Sequence, residues 1–140
     1  SYENAELLRR LVAEGKVKLR IFDAVSGADG SARKLLAAGP VLGESAGRYT
    51  RRGVKLYMDG ALGSRGAALL APYADYDSTG LLLQEPEKFA AFLLEALRAG
   101  IQVQTHAIGD RGNRVVLDAY EQAFAQVPAA ERRVADPRWR

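Results

Sequence analysis

The stretch Ile101-Gln102-Val103-Gln104-Thr105-His106-Ala107-Ile108-Gly109-Asp110 decides how this chain is read, and it holds the only histidine in the sequence. Ile101, Val103 and Thr105 alternate with Gln102, Gln104 and His106, the period-2 pattern of a strand with two unlike faces. Gly109 breaks the strand. Asp110 stands where a carboxylate would cap the helical pattern that follows. A histidine at the C-terminal end of a strand, on a strand-to-helix turn, lies where α/β folds concentrate their chemistry.

Working outward, the same alternation recurs in Gly53-Val54-Lys55-Leu56-Tyr57-Met58-Asp59. Val54, Leu56 and Met58 share one face, and Lys55, Tyr57 and Asp59 the other. Between these two strands, Pro86 opens a helical stripe of Phe89, Phe92, Leu93, Ala96 and Leu97 that Gly100 closes. Gly60 to Gly80 reads as a long loop, and Leu81 to Leu83 as a short extended piece. Upstream, a helix runs from a cap at Asn4 to about Glu14, a strand from Val17 to Val25 and a short helix from Ser31 to Ala38. Val41 to Gly53 reads as an irregular connection. A last helix follows Asp110 to about Gln126, and Pro128 ends it. Strands alternating with helices predict an α/β chain of parallel β/α units with right-handed crossovers. So few strands leave both sheet edges open, so the sequence reads as a piece of a larger α/β protein, with self-association through those edges as one consequence.

Composition narrows the function classes. The 140 residues, 48% hydrophobic and 26% charged, are those of one globular domain. No apolar run approaches the roughly 18 residues of a membrane span, and Ser1-Tyr2-Glu3-Asn4 lacks the features of a signal peptide. A soluble protein is expected, with the cytoplasm favoured, although the absence of cysteine leaves the compartment open. The charge of +3 is spread along the chain, and the arginines near the C-terminus are broken by acids, so neither nucleic acid nor membrane is an expected partner.

Lys55 lies mid-strand, where a helix-covered sheet would bury it, so it must be paired, neutralised or modified. A salt bridge with Asp59 or another carboxylate, or snorkelling to the strand end, is the plainer solution. His106 is equally readable as a core histidine bonded to backbone, Asp110 as a helix cap and Asp59 as a turn residue. The glycines at 60, 63 and 66 lack the spacing of a phosphate cradle and fit a flexible loop. No G-x-S-x-G elbow or cysteine nucleophile is present.

Together, two segments are more specific than any single residue. Val54-Lys55-Leu56-Tyr57-Met58-Asp59-Gly60-Ala61-Leu62-Gly63-Ser64-Arg65, with Ala67-Ala68-Leu69-Leu70 and Pro72-Tyr73, is one, and Val103-Gln104-Thr105-His106-Ala107-Ile108-Gly109-Asp110 is the other. Both resemble the metal-dependent amidohydrolases, in the branch that includes N-substituted formamide deformylase and the YtcJ-like proteins. The resemblance implies a TIM-type (β/α)8 barrel with one or two divalent metals, zinc the expected ion, at the C-terminal ends of its strands. It implies that Lys55 matches the lysine after the fourth strand, carboxylated in many members and bridging two metals. It implies that His106 matches the histidine ending the fifth strand, a metal ligand. Asp59, Ser64, Arg65 and Asp110 match family sequence as residues supporting the ligands or shaping the pocket. The implied reaction is hydrolysis of an amide or formamide C–N bond in a small molecule by a metal-activated water.

The sequence also departs from the family. The HxH pair after the first strand and the histidine after the sixth have no counterpart, because the one histidine is already assigned, and the family's aspartate after the eighth strand has no counterpart either. Residues 1–140 are therefore expected to form part of a single catalytic barrel, about strands 3 to 5, and to be inactive alone. A non-catalytic α/β binding or assembly module that keeps the fold is the alternative.

Overall fold

The computed structural model describes all residues, Ser1–Arg140. Helix α1 (Tyr2–Ala13) is capped by Ser1, whose hydroxyl accepts from the Asn4 amide at 3.3 Å. The expected cap, Asn4, lies inside the helix. Gly15 ends α1 with φ +73°, and the amides of Lys16 and Val17 both return to the Leu11 carbonyl. That fold-back keeps residues 16–20 out of the sheet, so strand β1 (Ile21–Ser26) starts later than the alternation from Val17 suggests. Asp29 caps helix α2 (Gly30–Ala38) by accepting from the Ser31 amide at 3.0 Å.

The segment Val41 to Gly53, expected to be irregular, instead contains strand β2 (Val41–Gly43), a four-residue left-handed turn α3 (Glu44–Gly47) and the first half of strand β3 (Tyr49–Tyr57). Arginines hid the strand. Arg51 is buried because helix α1 receives it, with its guanidinium on Glu6 and 4.5 Å from the Tyr2 ring centroid. Tyr49 is also buried and donates its hydroxyl to the Ala5 carbonyl at 2.9 Å. The Arg51 guanidinium holds the Glu6 carboxyl below the usual carboxylate range. A depressed folded-state value stabilises the fold above the ordinary glutamate pKa and is lost as pH falls below it. The urea midpoint is therefore expected to fall between pH 7 and acid pH. Glu6→Gln should shrink that fall while lowering the midpoint at pH 7.

Strand β3 is the centre of the sheet. Strand β1 lies parallel on one side, with Arg51 and Arg52 forming a bulge where the register passes from Asp23↔Arg51 to Ala24↔Gly53. Strand β4 (Gln102–His106) lies parallel on the other side, and β2 pairs antiparallel at Val41↔Arg51. At the far edge of β4, Thr105 donates to the Arg140 carbonyl at 2.7 Å and Arg140 donates to Val103 at 3.0 Å. Helix α4 (Pro86–Ala99) begins on its proline and ends at Gly100 with φ +75°. Helix α5 (Asp110–Gln126) follows β4.

One face of the sheet carries Val54, Leu56, Met58 and Val103 into a core with Phe89, Phe92, Leu93 and Leu97 of α4 and Val116, Tyr120 and Ala123 of α5. On that face Thr105 bonds the Tyr120 hydroxyl at 2.8 Å, and burial pushes Tyr120 up to about 12. The opposite face presents Lys55, Tyr57, Gln104 and His106, none of them fully buried. The fold is thus a mixed α/β sheet with parallel β/α units. No helix is long and apolar enough to cross a membrane.

Candidate active site

The parallel register sets Lys55 beside Gln104 and Tyr57 beside His106. Lys55 and His106 therefore share a face on neighbouring strands, one alternate position apart, near the C-terminal ends. Tyr57 lies between them. Its ring centroid is 4.0 Å from the Lys55 ammonium and 5.5 Å from the His106 ring. The Lys55 Nζ donates to the Leu56 carbonyl at 2.8 Å, and no carboxylate pairs with it. The expected salt bridge, with Asp59 or another carboxylate, is thus replaced by a carbonyl and an aromatic face. Burial holds the Lys55 amine below the usual lysine range.

Asp59 is spent elsewhere. It is 1% exposed, and its oxygens accept from the amides of Ala68 at 2.9 Å, Ile108 at 2.9 Å and Gly109 at 2.7 Å. Its Oδ1 is 3.8 Å from His106 Nε2, too far for a hydrogen bond. Asp110 is also not the cap that the sequence suggests. Gly109 occupies the N-cap position, and Asp110 begins the helix, where its Oδ1 accepts from Leu70 and Arg111, each at 2.8 Å. The carboxylate is drawn off by the Leu70 amide of the loop that crosses α5.

That loop is not slack. Gly60 donates to Gly66 at 2.9 Å and Gly66 to Ala61 at 3.0 Å, and Ala67 and Ala68 are fully buried. Ser64 and Arg65 sit at its exposed tip. The Ser64 hydroxyl donates to the Ala61 carbonyl at 3.2 Å, and Arg65 forks onto Asp75 at 2.8 and 3.3 Å. Neither bonds to Lys55, Tyr57, Asp59 or His106.

The donor chemistry fits a metal in part. His106 is half-buried with an imidazole free of strong partners, and a lysine becomes an oxygen donor once its amine is carboxylated. An ammonium has no lone pair to give, Asp59 is committed to backbone, and no three His, Cys, Asp or Glu side chains converge anywhere in the chain. This chain alone does not form a complete metal site. The cavity of about 300 Å³ behind Leu56, lined by Arg33, Lys88, Phe89 and Phe92, belongs to the helix side and not to this face.

Sequence reasoning missed Tyr57 as a member of the group. The signal was present, since it stands two residues from Lys55 on the same face.

The amidohydrolase family model matches residues 1–138. Over 82 residues the chain is 42% identical to Protein LONG AFTER FAR-RED 3 of Arabidopsis thaliana, which covers 58% of this chain and 14% of that protein. Over 78 residues it is 40% identical to the protein of Bacillus subtilis named "Putative amidohydrolase YtcJ", covering 54% of this chain and 15% of the relative. Among solved structures, a metal-dependent hydrolase of Pyrococcus horikoshii superposes with a TM-score of 0.73 at 36% identity, covering 82% of this chain and 23% of that one. One of Pyrococcus furiosus gives 0.71 at 34%, covering 84% and 25%. The chain thus spans about a seventh of the curated relatives and about a quarter of the solved ones. With the family model running along almost its whole length and two metal-dependent hydrolases sharing its fold, the chain belongs to the amidohydrolase family.

Proposed function

We propose that this chain is the central part of a metal-dependent hydrolase that cleaves amide- or formamide-type C–N bonds in small molecules, and that it is inactive by itself. The observation that carries the reading is Lys55 and His106 on one open face of neighbouring parallel strands, at the ends where α/β enzymes place their chemistry. In this reading β1, β3 and β4 are about strands 3 to 5 of a (β/α)8 barrel, and residues 1–140 belong to one catalytic domain. A divalent metal, zinc first among the candidates, would be held by His106 and by Lys55 after carboxylation, with the remaining ligands supplied from outside this chain. Such a metal supplies a water of lowered pKa and polarises a carbonyl. Ser64, Arg65, Asp59 and Asp110 would shape or support the site through the loop they hold.

The test is a panel of N-substituted amides and formamides offered to the full-length parent, with released amine as the readout. Turnover that stops on chelation and returns with added metal is expected. No turnover of any member by metal-replete parent would favour the non-catalytic α/β module instead.

A further inference from the structure

We propose that Asp59 is a positioning residue for His106, and that it acts by docking the loop after β3 onto the β4–α5 turn. The proposal rests on the reading of His106 as a site residue. One buried carboxylate binds both partners at once. Its Oδ2 accepts from Ala68 of the loop at 2.9 Å and from Gly109 of the turn at 2.7 Å. Its Oδ1 accepts from Ile108 at 2.9 Å and faces His106 Nε2 at 3.8 Å. The two turn amides follow His106 by two and three residues, so any shift of the carboxylate shifts the backbone that carries the imidazole.

The burial of Asp59 is the second argument. No lysine or arginine pairs with it, and a buried carboxylate without a cation is expensive unless hydrogen bonds replace its water. Backbone amides do so here, and two of them, Ile108 and Gly109, lie at the N-terminal end of the 17-residue helix α5, where the macrodipole favours an anion.

The loop is fitted closely to the turn. Gly112 donates to the Ala68 carbonyl at 3.1 Å, and Asp110 takes the Leu70 amide. A Cβ on Gly109 would lie 1.8 Å from the Ala68 oxygen, and one on Gly112 would lie 2.6 Å from Asp59 Oδ2. Glycine stands at the two points of closest approach, Gly109 against the Ala68 carbonyl and Gly112 against the carboxylate. The loop and the histidine are therefore one mechanical unit, joined through Asp59.

The experiment uses the full-length parent, compared with Asp59→Asn, whose amide NH2 would face at least one backbone donor in either orientation. Hydrogen exchange by mass spectrometry reads docking in peptides covering 60–70 and 107–113. Titration with Co2+, with its visible spectrum, reads the ligand set around His106. Faster exchange in both peptides is expected, with Co2+ affinity lowered by about 10- to 100-fold and an altered spectrum, the size usual for residues that orient a ligand. Faster exchange with unchanged affinity and spectrum would overturn the positioning role and leave a structural clamp. Unchanged exchange would overturn the docking role too. Should Asp59→Asn not fold, Gly109→Ala displaces the loop while leaving the carboxylate intact, and the same paired changes are expected. Unsubstituted parent that binds no Co2+ would count against the metal reading itself. In that case the positioning role falls with the metal reading, and exchange in the peptides covering 60–70 and 107–113 still decides the docking role.

Discussion

In the full-length parent, His106→Ala and Lys55→Ala are each expected to lower kcat/KM by more than about 100-fold, beyond the cost usual for removing a residue that merely orients a ligand. Within this chain Lys55 is held by the Leu56 carbonyl and the Tyr57 ring, contacts that do not require a lysine at this place. It sits two residues from the end of β3, its burial disfavours the charged form, and it makes one hydrogen bond, to the carbonyl of its own neighbour. A lysine kept only for packing would be replaceable by methionine at little cost. The His106 imidazole, half-buried beside the Tyr57 ring, likewise makes no strong bond that a structural histidine would be kept for. Tyr57→Phe keeps the ring over the Lys55 ammonium and should cost far less than either. Steady-state kinetics on whichever amide proves best, after circular dichroism has confirmed folding, reads the ratio. A loss below about threefold in both alanine variants would remove Lys55 and His106 from the chemistry.

The largest effect on stability is expected from Leu93→Ala. Leu93 is fully buried on α4, the helix that packs on the apolar face of β3 and β4. Truncating a leucine there loses its transfer free energy and leaves a cavity that neighbouring Phe89 and Leu97 cannot fill, about 2–5 kcal/mol in all. Leu117 on α5 is the control, being 62% exposed, and its replacement by alanine should stay within about 0.5 kcal/mol. Urea unfolding at neutral pH compares them. Equal costs at the two positions would contradict the assignment of the core to the α4 face.

Much of this was legible in the sequence where one pattern dominated. The alternation through Lys55 and through His106 marks β3 and β4, and Pro86 and Gly100 bracket α4, because period and caps act locally. The first half of β3 was not legible. Arg51 and Arg52 look like surface residues until α1 arrives to pair one, while the Gly100 carbonyl accepts from the other at 3.1 Å. A bulge at the same place breaks the alternation. The roles of Asp59 and Asp110 were hidden for a similar reason. Each carboxylate bonds to an amide far away along the chain, Gly109 for Asp59 and Leu70 for Asp110, and no local rule reports such partners. Lys55 and His106 could be named from the sequence as matching family ligands, but the ring of Tyr57 between them needed the register of two strands.

The most direct measurement is elemental metal content of the full-length parent, prepared metal-replete, alongside Lys55→Ala and His106→Ala. One or two divalent metals per chain in the parent, with both variants depleted, is the predicted result. A folded, metal-free parent, or variants that keep the parent's full metal content, would contradict the assignment of this face as half of a metal-dependent hydrolase site.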